Sequence, residues 1–378
     1  MNGQTTFESP PTRQPIARCL VGLLIATAAI LNVELAHAEP YLAVESGLHC
    51  RSCHVNPTGG GKRNVFGTLW ARNQLSETIA FPGEGPGWTG AVKSWLGVGG
   101  DYRGGYSDTD IPGVQGSSET TTTQGTVYLE VQAIPELLTL YVDGRVAPDQ
   151  SETREAYALL KLSDSRYTIK AGQFFLPFGL RLHDDSAFVR ERSGINFATP
   201  DDGVEFGLEL PNWSAQFAVS NGTAGAGSES GRRQYSLSAT HVRPRWRVGA
   251  SLNINEDNLG DRSMVAVFAG YRTGPITWLA EMDFITDELP GQPDRDIYAT
   301  LIEGNWRIRK AHNLKLSYDF VDPSDGTSED ERERYSILWE YTPVQLVQTR
   351  LGFRTYNGVP EDPLSNRDQL FAELHVYF

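Results

Sequence analysis

Two cysteines and a histidine lie close together near the start of the chain, at a spacing that suits one covalent cofactor. Residues Cys50-Arg51-Ser52-Cys53-His54 form the pattern C-x-x-C-H, which is the attachment signature of c-type haem. Two intervening residues let both thiols reach the two vinyl groups of one porphyrin, and the adjacent histidine then meets the iron from one face. The pattern predicts one covalent haem c, with Cys50 and Cys53 as thioether positions and His54 as the proximal iron ligand.

Three alternatives compete with haem attachment at this pattern. A redox-active Cys50–Cys53 disulfide belongs in a β-α-β context, which the sequence does not offer. A structural zinc site needs four ligands of Cys or His type, and no second cysteine pair follows. A chance match is disfavoured because the only two cysteines beyond residue 38 have this spacing with a histidine next. Haem attachment is therefore the favoured interpretation.

Residues 1–38 predict export. Arg13 and Arg18 supply a positive segment, residues 19–31 supply an apolar run, and Ala36-His37-Ala38 is a cleavage site of the A-x-A type. The mature chain is therefore expected to begin at Glu39. Export supports haem attachment, because the thioether bonds of c-type haem are made outside the cytoplasm. No later segment approaches the roughly 18 uninterrupted apolar residues of a spanning helix.

Charge and hydropathy limit which partners and which classes of protein are expected. The formal net charge is −14, and the predicted signal peptide removes equal numbers of basic and acidic residues. Nucleic acid is therefore not an expected partner. A mean hydropathy of −0.35 resembles that of a soluble protein, yet it also fits a transmembrane barrel, since only alternate strand residues meet lipid. A lipoprotein is disfavoured because Cys19 precedes the apolar run.

From Lys93 to Phe378 the chain alternates between apolar and polar residues with period two, which predicts strands. Leu140 and Val142 share one face of such a strand, while Tyr141 and Asp143 share the other. A soluble sandwich also alternates, so the connections decide between the two folds. We count about sixteen strands whose connections are short and long in turn, as in outer-membrane barrels. The sequence thus predicts an all-β fold, a transmembrane antiparallel barrel in the outer membrane of a Gram-negative bacterium.

The connections and the last strand also predict sidedness. The short connections lie near 134–135, 163–165, 211–212, 243–245, 274–275, 310–312 and 342–343. The long ones lie near 107–123, 148–153, 176–202, 223–231, 255–261, 285–295, 322–331 and 358–367. An even strand number places both chain ends on the periplasmic side. The last strand ends on Phe378, which resembles the terminal aromatic signal read by the barrel-assembly machinery.

The chain divides into four predicted parts. Residues 1–38 form the signal peptide, 39–81 a mono-haem cytochrome c-like segment, 82–92 a linker rich in Gly and Pro, and 93–378 the barrel. Within the haem segment, Asn64–Leu75 is predicted as a short helix with Val65, Leu69 and Leu75 on one side.

Both halves resemble known families. Pro40-Tyr41-Leu42-Ala43, the C-x-x-C-H pattern and Asn56-Pro57-Thr58-Gly59-Gly60-Gly61 resemble the start of the fused cytochrome–porins of bacteria that exchange electrons with extracellular iron. The stretch Gly172-Gln173-Phe174-Phe175-Leu176-Pro177-Phe178-Gly179 resembles the phosphate-selective porin O/P family. The resemblance implies electron transfer between an extracellular donor, such as Fe(II), and periplasmic cytochromes or other carriers.

Two questions stay undecided: which residue is the distal haem ligand, and whether solutes pass through the barrel. His375, on the polar face of the last strand, and His183, in a connection that resembles a lumen-entering loop, are the candidate distal ligands. The second hypothesis from the barrel alone is a solute or anion porin of the phosphate-selective type, whose N-terminal segment is a plug or redox sensor. Lysine is scarce, so a phosphate pathway would consist mostly of arginine.

The predicted external connections are acidic, which favours attraction of cations. The competing interpretation is that such loops keep an outer-membrane protein soluble and bind divalent ions among lipopolysaccharide. The acidic residues are Glu256, Asp257, Asp287, Glu288, Asp322, Asp325, Glu329, Asp330, Glu331, Glu361 and Asp362.

Overall fold

The computed structural model of the protein describes residues 39–79, 87–148, 151–182, 184–196, 199–222, 233–257 and 260–378. The predicted signal peptide, His183 and the connection 223–231 lie outside these ranges. The helices are α1 (Pro40–Ser46), α2 (Cys50–Cys53), α3 (Val65–Gln74) and α4 (Phe188–Ser193), with a 3₁₀ turn at Pro363–Asn366. None of the helices in the described ranges is long and apolar enough to cross a membrane.

The strands follow one another along the chain. They are β1 (Ala91–Lys93), β2 (Leu96–Ile111), β3 (Val114–Ile134), β4 (Leu138–Ala147), β5 (Glu152–Leu162), β6 (Tyr167–Phe174), β7 (Asp201–Leu210), β8 (Trp213–Ser220), β9 (Gln234–Arg243), β10 (Trp246–Asp257), β11 (Gly260–Thr273), β12 (Ile276–Glu288), β13 (Arg295–Arg309), β14 (His312–Asp322), β15 (Arg332–Val344), β16 (Val347–Asn357) and β17 (Asp368–Tyr377). Strand β1 begins inside the range predicted as a linker.

Strands β2 to β17 form a closed sixteen-stranded antiparallel barrel. Each pairs with its neighbours in sequence, and β17 closes the barrel on β2, with Val376 opposite Tyr102. Strand β1 adds three residues beside the start of β2. Closure leaves the barrel wall without a free sheet edge, which is the condition for a sheet to stand in lipid. The predicted fold is confirmed.

The barrel wall is apolar outside and polar inside. On β4, Leu140 and Val142 are each 44% exposed on the outer face, whereas Tyr141 and Asp143 are 1% and 0% exposed towards the lumen. A soluble sandwich would bury the apolar face, so the alternation here has the opposite sense. An apolar outer band on a closed barrel of this size is the mark of an outer-membrane protein in contact with lipid.

Two connections predicted to be long are mostly strand. The range 107–123 forms a hairpin of β2 and β3 with Ser107 opposite Glu119, turning at Gly113, where φ is +74°. The range 255–261 is likewise covered by β10 and β11, with Asn255 opposite Arg262. Both predictions were wrong, because polar residues can continue a strand when its partner strand supplies the backbone hydrogen bonds, and Thr, which is frequent in 107–123, favours strands.

The connection between β6 and β7 folds into the lumen, as the resemblance to porins implies. Its side chains Phe175, Leu176 and Phe178 are each no more than 4% exposed. The helix α4 within it packs against β12, β13 and β14, across the lumen from β6. We call residues 175–182, 184–196 and 199–200 the lumen loop.

Candidate haem site in the barrel lumen

The haem segment, residues 39–79, lies inside the short-turn end of the barrel. Arg51 donates from Nη1 to the carbonyl of Ser165 in the β5–β6 turn, at 2.9 Å. Arg272, at the end of β11, donates to the carbonyl of Glu45 at 3.0 Å. The backbone N–H of Thr78 donates to the carbonyl of Pro343 at the end of β15. The segment is thus held from strand ends and a turn at separate places around the barrel.

Helix α2 is a single turn that presents the two cysteines. Its last backbone bond runs from the His54 N–H to the carbonyl of Cys50, at 3.0 Å. The following chain returns at once, since the Asn64 N–H donates to the carbonyl of Cys53 at 2.9 Å. Cys50 and Cys53 are both half-buried and are not joined to each other in the structure.

Asn64 joins α2 to α3. Its Oδ1 accepts from the Gly67 N–H at 2.8 Å, which caps the start of α3. Its Nδ2 donates to the carbonyls of Arg51 and Ser52 at 3.2 and 3.1 Å, two groups that a one-turn helix leaves without internal partners. One amide therefore fixes the C-x-x-C-H turn against the next helix.

Helix α3 confirms the predicted helix but not its predicted face. Val65 is 47% exposed, whereas the buried residues are Gly67 and Ala71. A Cβ at Gly67 would collide with the carbonyl oxygen of Cys53. Small residues are buried here because the helix backbone lies directly on α2, so close contact decides the face rather than hydrophobicity.

The glycine stretch 59–61 lets the backbone approach the first cysteine. All three glycines have positive φ, between +58° and +90°. An added Cβ at Gly59 would lie 3.3 Å from Cβ and 3.4 Å from Sγ of Cys50, and one at Gly61 would collide with the Tyr141 hydroxyl. Residues with a side chain rarely adopt this backbone, so the stretch specifies the wall beside Cys50.

His54 lines a cavity, and its surroundings favour the neutral imidazole. The residue is half-buried, and its Nδ1 atom is buried without a hydrogen-bond partner among the described residues. Burial lowers the pKa of His54 to about 3, and the positive charges of Arg63 and Arg181 add to the effect. A neutral imidazole is the form that binds a metal.

The cavity beside His54 suits a porphyrin. It has a volume of about 280 Å³. Its wall includes Cys50, Cys53, His54, Gly59, Trp70, Trp88, Phe175, Phe178 and Phe268. Aromatic walls match the faces of the ring. The cations Arg63, Arg181 and Arg247 line the same cavity and match the two carboxylates of a haem. The residues present therefore fit the group that the C-x-x-C-H pattern predicts.

A buried polar cluster holds the segment to the barrel wall. Asn56 donates to Glu155 at 2.9 Å and accepts from Lys170 at 3.0 Å, and Lys170 forms an ion pair with Glu205 at 2.8 Å. Lys170 and Glu205 are each no more than 1% exposed. Of these residues, only Asn56 belongs to a motif that is recognisable in the sequence. The available signal was the charged inner face of strands β5 to β7.

Two further contacts connect the segment to its surroundings. The Lys62 N–H donates to the Tyr141 hydroxyl at 2.9 Å, and its Nζ pairs with Glu130 at 3.0 Å. Arg181 of the lumen loop donates to Oγ1 of Thr58 at 2.7 Å. The haem segment therefore touches both the wall and the lumen loop.

Of the two predicted distal ligands, only His375 lies among the described residues. His375 is 5% exposed and lines the same cavity as His54. Its Nε2 lies 2.7 Å from Asp101, and its Nδ1 lies 3.4 Å from Gln348. His183 lies outside the described residues. Which of the two histidines is the distal ligand therefore stays a prediction.

The remaining histidines and methionines among the described residues have other surroundings. Both ring nitrogens of His49 have partners, in Glu209 at 3.0 Å and the carbonyl of Pro211 at 3.3 Å. Met282 is 41% exposed on the outer face, whereas Met264 is buried in the lumen. His241 and His312 pack among aromatic residues at the ends of strands.

The closed wall and filled lumen define the class as a porin-like outer-membrane barrel. No protein-family model and no curated protein matches the sequence. Solved structures of outer-membrane barrels do match the fold. The anion-selective porin from Comamonas acidovorans superposes with a TM-score of 0.60 at 10% identity, covering 75% of this chain and 99% of that chain.

Two further structures belong to the same class. In-vitro folded OmpT of Vibrio cholerae, in its trimer form, gives a TM-score of 0.58 at 11% identity, covering 75% of this chain and 99% of its own. The outer-membrane channel DcaP of Acinetobacter baumannii gives 0.58 at 13% identity, with coverage of 75% and 97%. At these identities the likeness establishes the fold alone.

Proposed function

We propose that the protein is a cytochrome–porin fusion that transfers electrons across the outer membrane through one covalently bound c-type haem. The observation that carries the proposal is the position of C-x-x-C-H, whose Cys50, Cys53 and His54 line an aromatic cavity inside a membrane-spanning wall. A haem iron, when bound, accepts and returns one electron at a time. The barrel then serves as an insulating sleeve that brings one redox centre towards both sides.

The chain's own residues have distinct roles in this proposal. Cys50 and Cys53 hold the group covalently, and His54 supplies the proximal nitrogen in its neutral form. Phe175 and Phe178 of the lumen loop add apolar lining to the cavity. Low polarity around a haem is one of the protein's means of setting its potential.

The direction of flow and the partners are part of the proposal. Extracellular Fe(II) is the proposed donor, which would make the protein a ferrous-iron oxidase. The acidic external connections support a cationic donor, because negative rims concentrate cations. Periplasmic cytochromes or other carriers are the proposed acceptors, and the barrel-assembly machinery is the proposed insertion partner. His375 or His183 is the proposed distal ligand.

Intact mass spectrometry tests the haem. The mature chain, made in a host that matures c-type haem, should exceed its polypeptide mass by one haem. The variant C50A/C53A should have the polypeptide mass alone while still forming a barrel. A wild-type chain at the bare polypeptide mass would overturn the proposal.

A solute or anion porin with an N-terminal plug is the second candidate. It is favoured by the fold likeness to porins, one of them an anion-selective porin. Planar-bilayer conductance distinguishes the two functions. Under the electron-transfer proposal the lumen, filled by the haem segment and the lumen loop, should conduct little chloride or phosphate. A large anion conductance in protein that carries no haem would establish the porin instead.

A further inference from the structure

A cationic side chain lies directly beside the proposed proximal ligand. The backbone of Arg63 pairs with that of His54 in an isolated antiparallel bridge. The flanking hydrogen bonds run from the Asn64 N–H to the carbonyl of Cys53, at 2.9 Å, and from the Val55 N–H to the carbonyl of Lys62, at 3.1 Å. The bridge is therefore a non-hydrogen-bonded pair. In such a pair both side chains point to the same side, with Cβ atoms about 4.5–5.5 Å apart.

The ring of Tyr377 holds the guanidinium of Arg63 in place. The Cζ atom of Arg63 lies 4.5 Å from the ring centroid of Tyr377, the last residue of β17. Both residues line the cavity that Cys53 and His54 also line. A guanidinium over an aromatic face is attracted by the ring quadrupole and keeps its full charge. Arg63 is thus a positioned positive charge in the wall of the candidate haem site.

No carboxylate of the protein balances the charge of Arg63. Within the part of the chain that the structure describes, its guanidinium forms no hydrogen bond and no ion pair. Arg181, the other arginine near His54, donates to Thr58 at 2.7 Å and lies 4.0 Å from Glu155. Burial is the main cause of the low pKa of His54, and the charge of Arg63 contributes more than that of Arg181. The charge of Arg63 therefore acts at the imidazole.

A positive charge in this place raises the reduction potential of a neighbouring redox centre. Oxidation of a haem iron adds one positive charge, which a nearby cation makes less favourable. The repulsion is stronger in a partly buried site than in water, because the dielectric constant is lower. The effect has the same sign if a haem carboxylate also meets Arg63, since removal of the arginine then leaves that negative charge unbalanced.

We propose, on the basis of the proposed function, that Arg63 raises the reduction potential of the haem and that Tyr377 positions its charge. In the proposed reaction one electron passes from Fe(II), which becomes Fe(III), to the ferric haem, which becomes ferrous. The same electron then passes to the periplasmic carrier. A higher potential favours the first of these steps, so Arg63 promotes acceptance of the electron from the extracellular donor.

The test is a potentiometric titration of the haem-loaded full chain in nanodiscs, followed by absorbance. R63Q removes the charge, R63K keeps it, and R166Q removes an exposed charge in the β5–β6 turn, outside the cavity. At a fixed applied potential, R63Q should lower the ratio of reduced to oxidised haem about tenfold, which is about 59 mV for a one-electron couple. This is the size that Coulomb's law gives for one charge at roughly 10 Å in a partly polar interior. R63K and R166Q should titrate as the wild type does.

Substitutions of Tyr377 test the position of the charge. Y377F keeps the ring and should titrate as the wild type does. Y377L should lower the potential by less than R63Q, because Arg63 then keeps its charge but loses its fixed place. If R63Q does not retain haem, the comparison of Y377L with Y377F decides, and equal potentials in these two would overturn the proposal.

The outcomes separate this proposal from the one on which it rests. An unchanged or raised potential in haem-loaded R63Q would overturn the role of Arg63 and leave the proposed function standing. A potential in R63K or R166Q as low as in R63Q would also overturn it, because the effect would then not come from a charge at this place. A wild-type chain that carries no haem, read from the absorbance of the same sample, would overturn both proposals.

Discussion

The barrel wall and the haem segment are stabilised in different ways. The wall is one continuous antiparallel ladder, closed between β2 and β17, with its apolar side chains turned outwards to lipid. The haem segment has three short helices and little core of its own, and it depends on polar contacts such as Asn56 with Lys170. The wall therefore folds by its own pairing. The segment acquires its structure from the wall around it and, in our proposal, from the haem.

The largest expected effect is the loss of haem attachment without any loss of the barrel wall. Replacing both cysteines in C50A/C53A should remove all covalent haem, because no thioether can form. The barrel should still shift its mobility on unheated gels as the wild type does, since the wall ladder does not involve the segment. Loss of the barrel together with the haem would contradict the independence of the wall.

Lys170 tests how strongly the wall holds the segment. In K170M, Glu205 is left buried without its partner and Asn56 loses a donor, so we expect a cost of about 3–5 kcal/mol. Amide exchange in residues 55–64 should rise sharply. The double variant K170M/E205Q should recover much of the loss, because the unpaired charge is gone. No recovery would mean that the ion pair is not the cause.

Gly67 tests the close contact between α2 and α3. In an ordinary helix Gly→Ala is stabilising, but here the added Cβ meets the carbonyl of Cys53. G67A should destabilise the segment by about 1–3 kcal/mol, with faster proteolysis of residues 39–79 and a lower haem yield. G326A, in the connection between β14 and β15, is the control and should behave as wild type, because an added Cβ there would meet only Oγ of Ser324 at 3.9 Å. A G67A chain as protease-resistant as G326A would disprove the contact.

The smallest expected effect is that of a substitution at Thr58, where the haem segment contacts the lumen loop. T58V removes the hydroxyl that accepts from Arg181 and donates to Oδ1 of Asn56. Because Thr58 is half-buried and Arg181 keeps its ion pair with Glu155 at 4.0 Å, the loss should cost only about 1 kcal/mol. Exchange should rise at Thr58 and its neighbours and stay unchanged in α1. A uniform rise across the segment would show that the lumen loop supports all of it.

The wall could be predicted from sequence because its signal is local. Period-two alternation, as in Leu140 to Asp143, fixes which side chains face outwards within a few residues. The same local reasoning failed at 107–123, where Ser and Thr are common to turns and to strands. It also gave the wrong face for α3, because the close approach of Gly67 to Cys53 is a tertiary contact that a local pattern does not show.

The candidate haem site was only partly predictable. C-x-x-C-H and the adjacent glycines are contiguous, so their chemistry can be read directly. The residues that hold the segment are distant: Asn56 meets Glu155 and Lys170, which lie 99 and 114 positions further on. A single sequence carries no record of such pairs. The polar cluster therefore appears only when the strands are arranged around the segment.

Electron transfer across a sealed membrane is the most direct test of the central claim. The chain is inserted into liposomes that enclose an oxidised periplasmic-type cytochrome, and ferrous iron is supplied on the side of the long connections. Wild type should reduce the enclosed cytochrome, because the haem connects the two sides. H54A should keep the barrel but lose or greatly slow the reduction, because the iron's potential depends on its axial ligand. Equal reduction by both proteins, or by neither, would contradict the account.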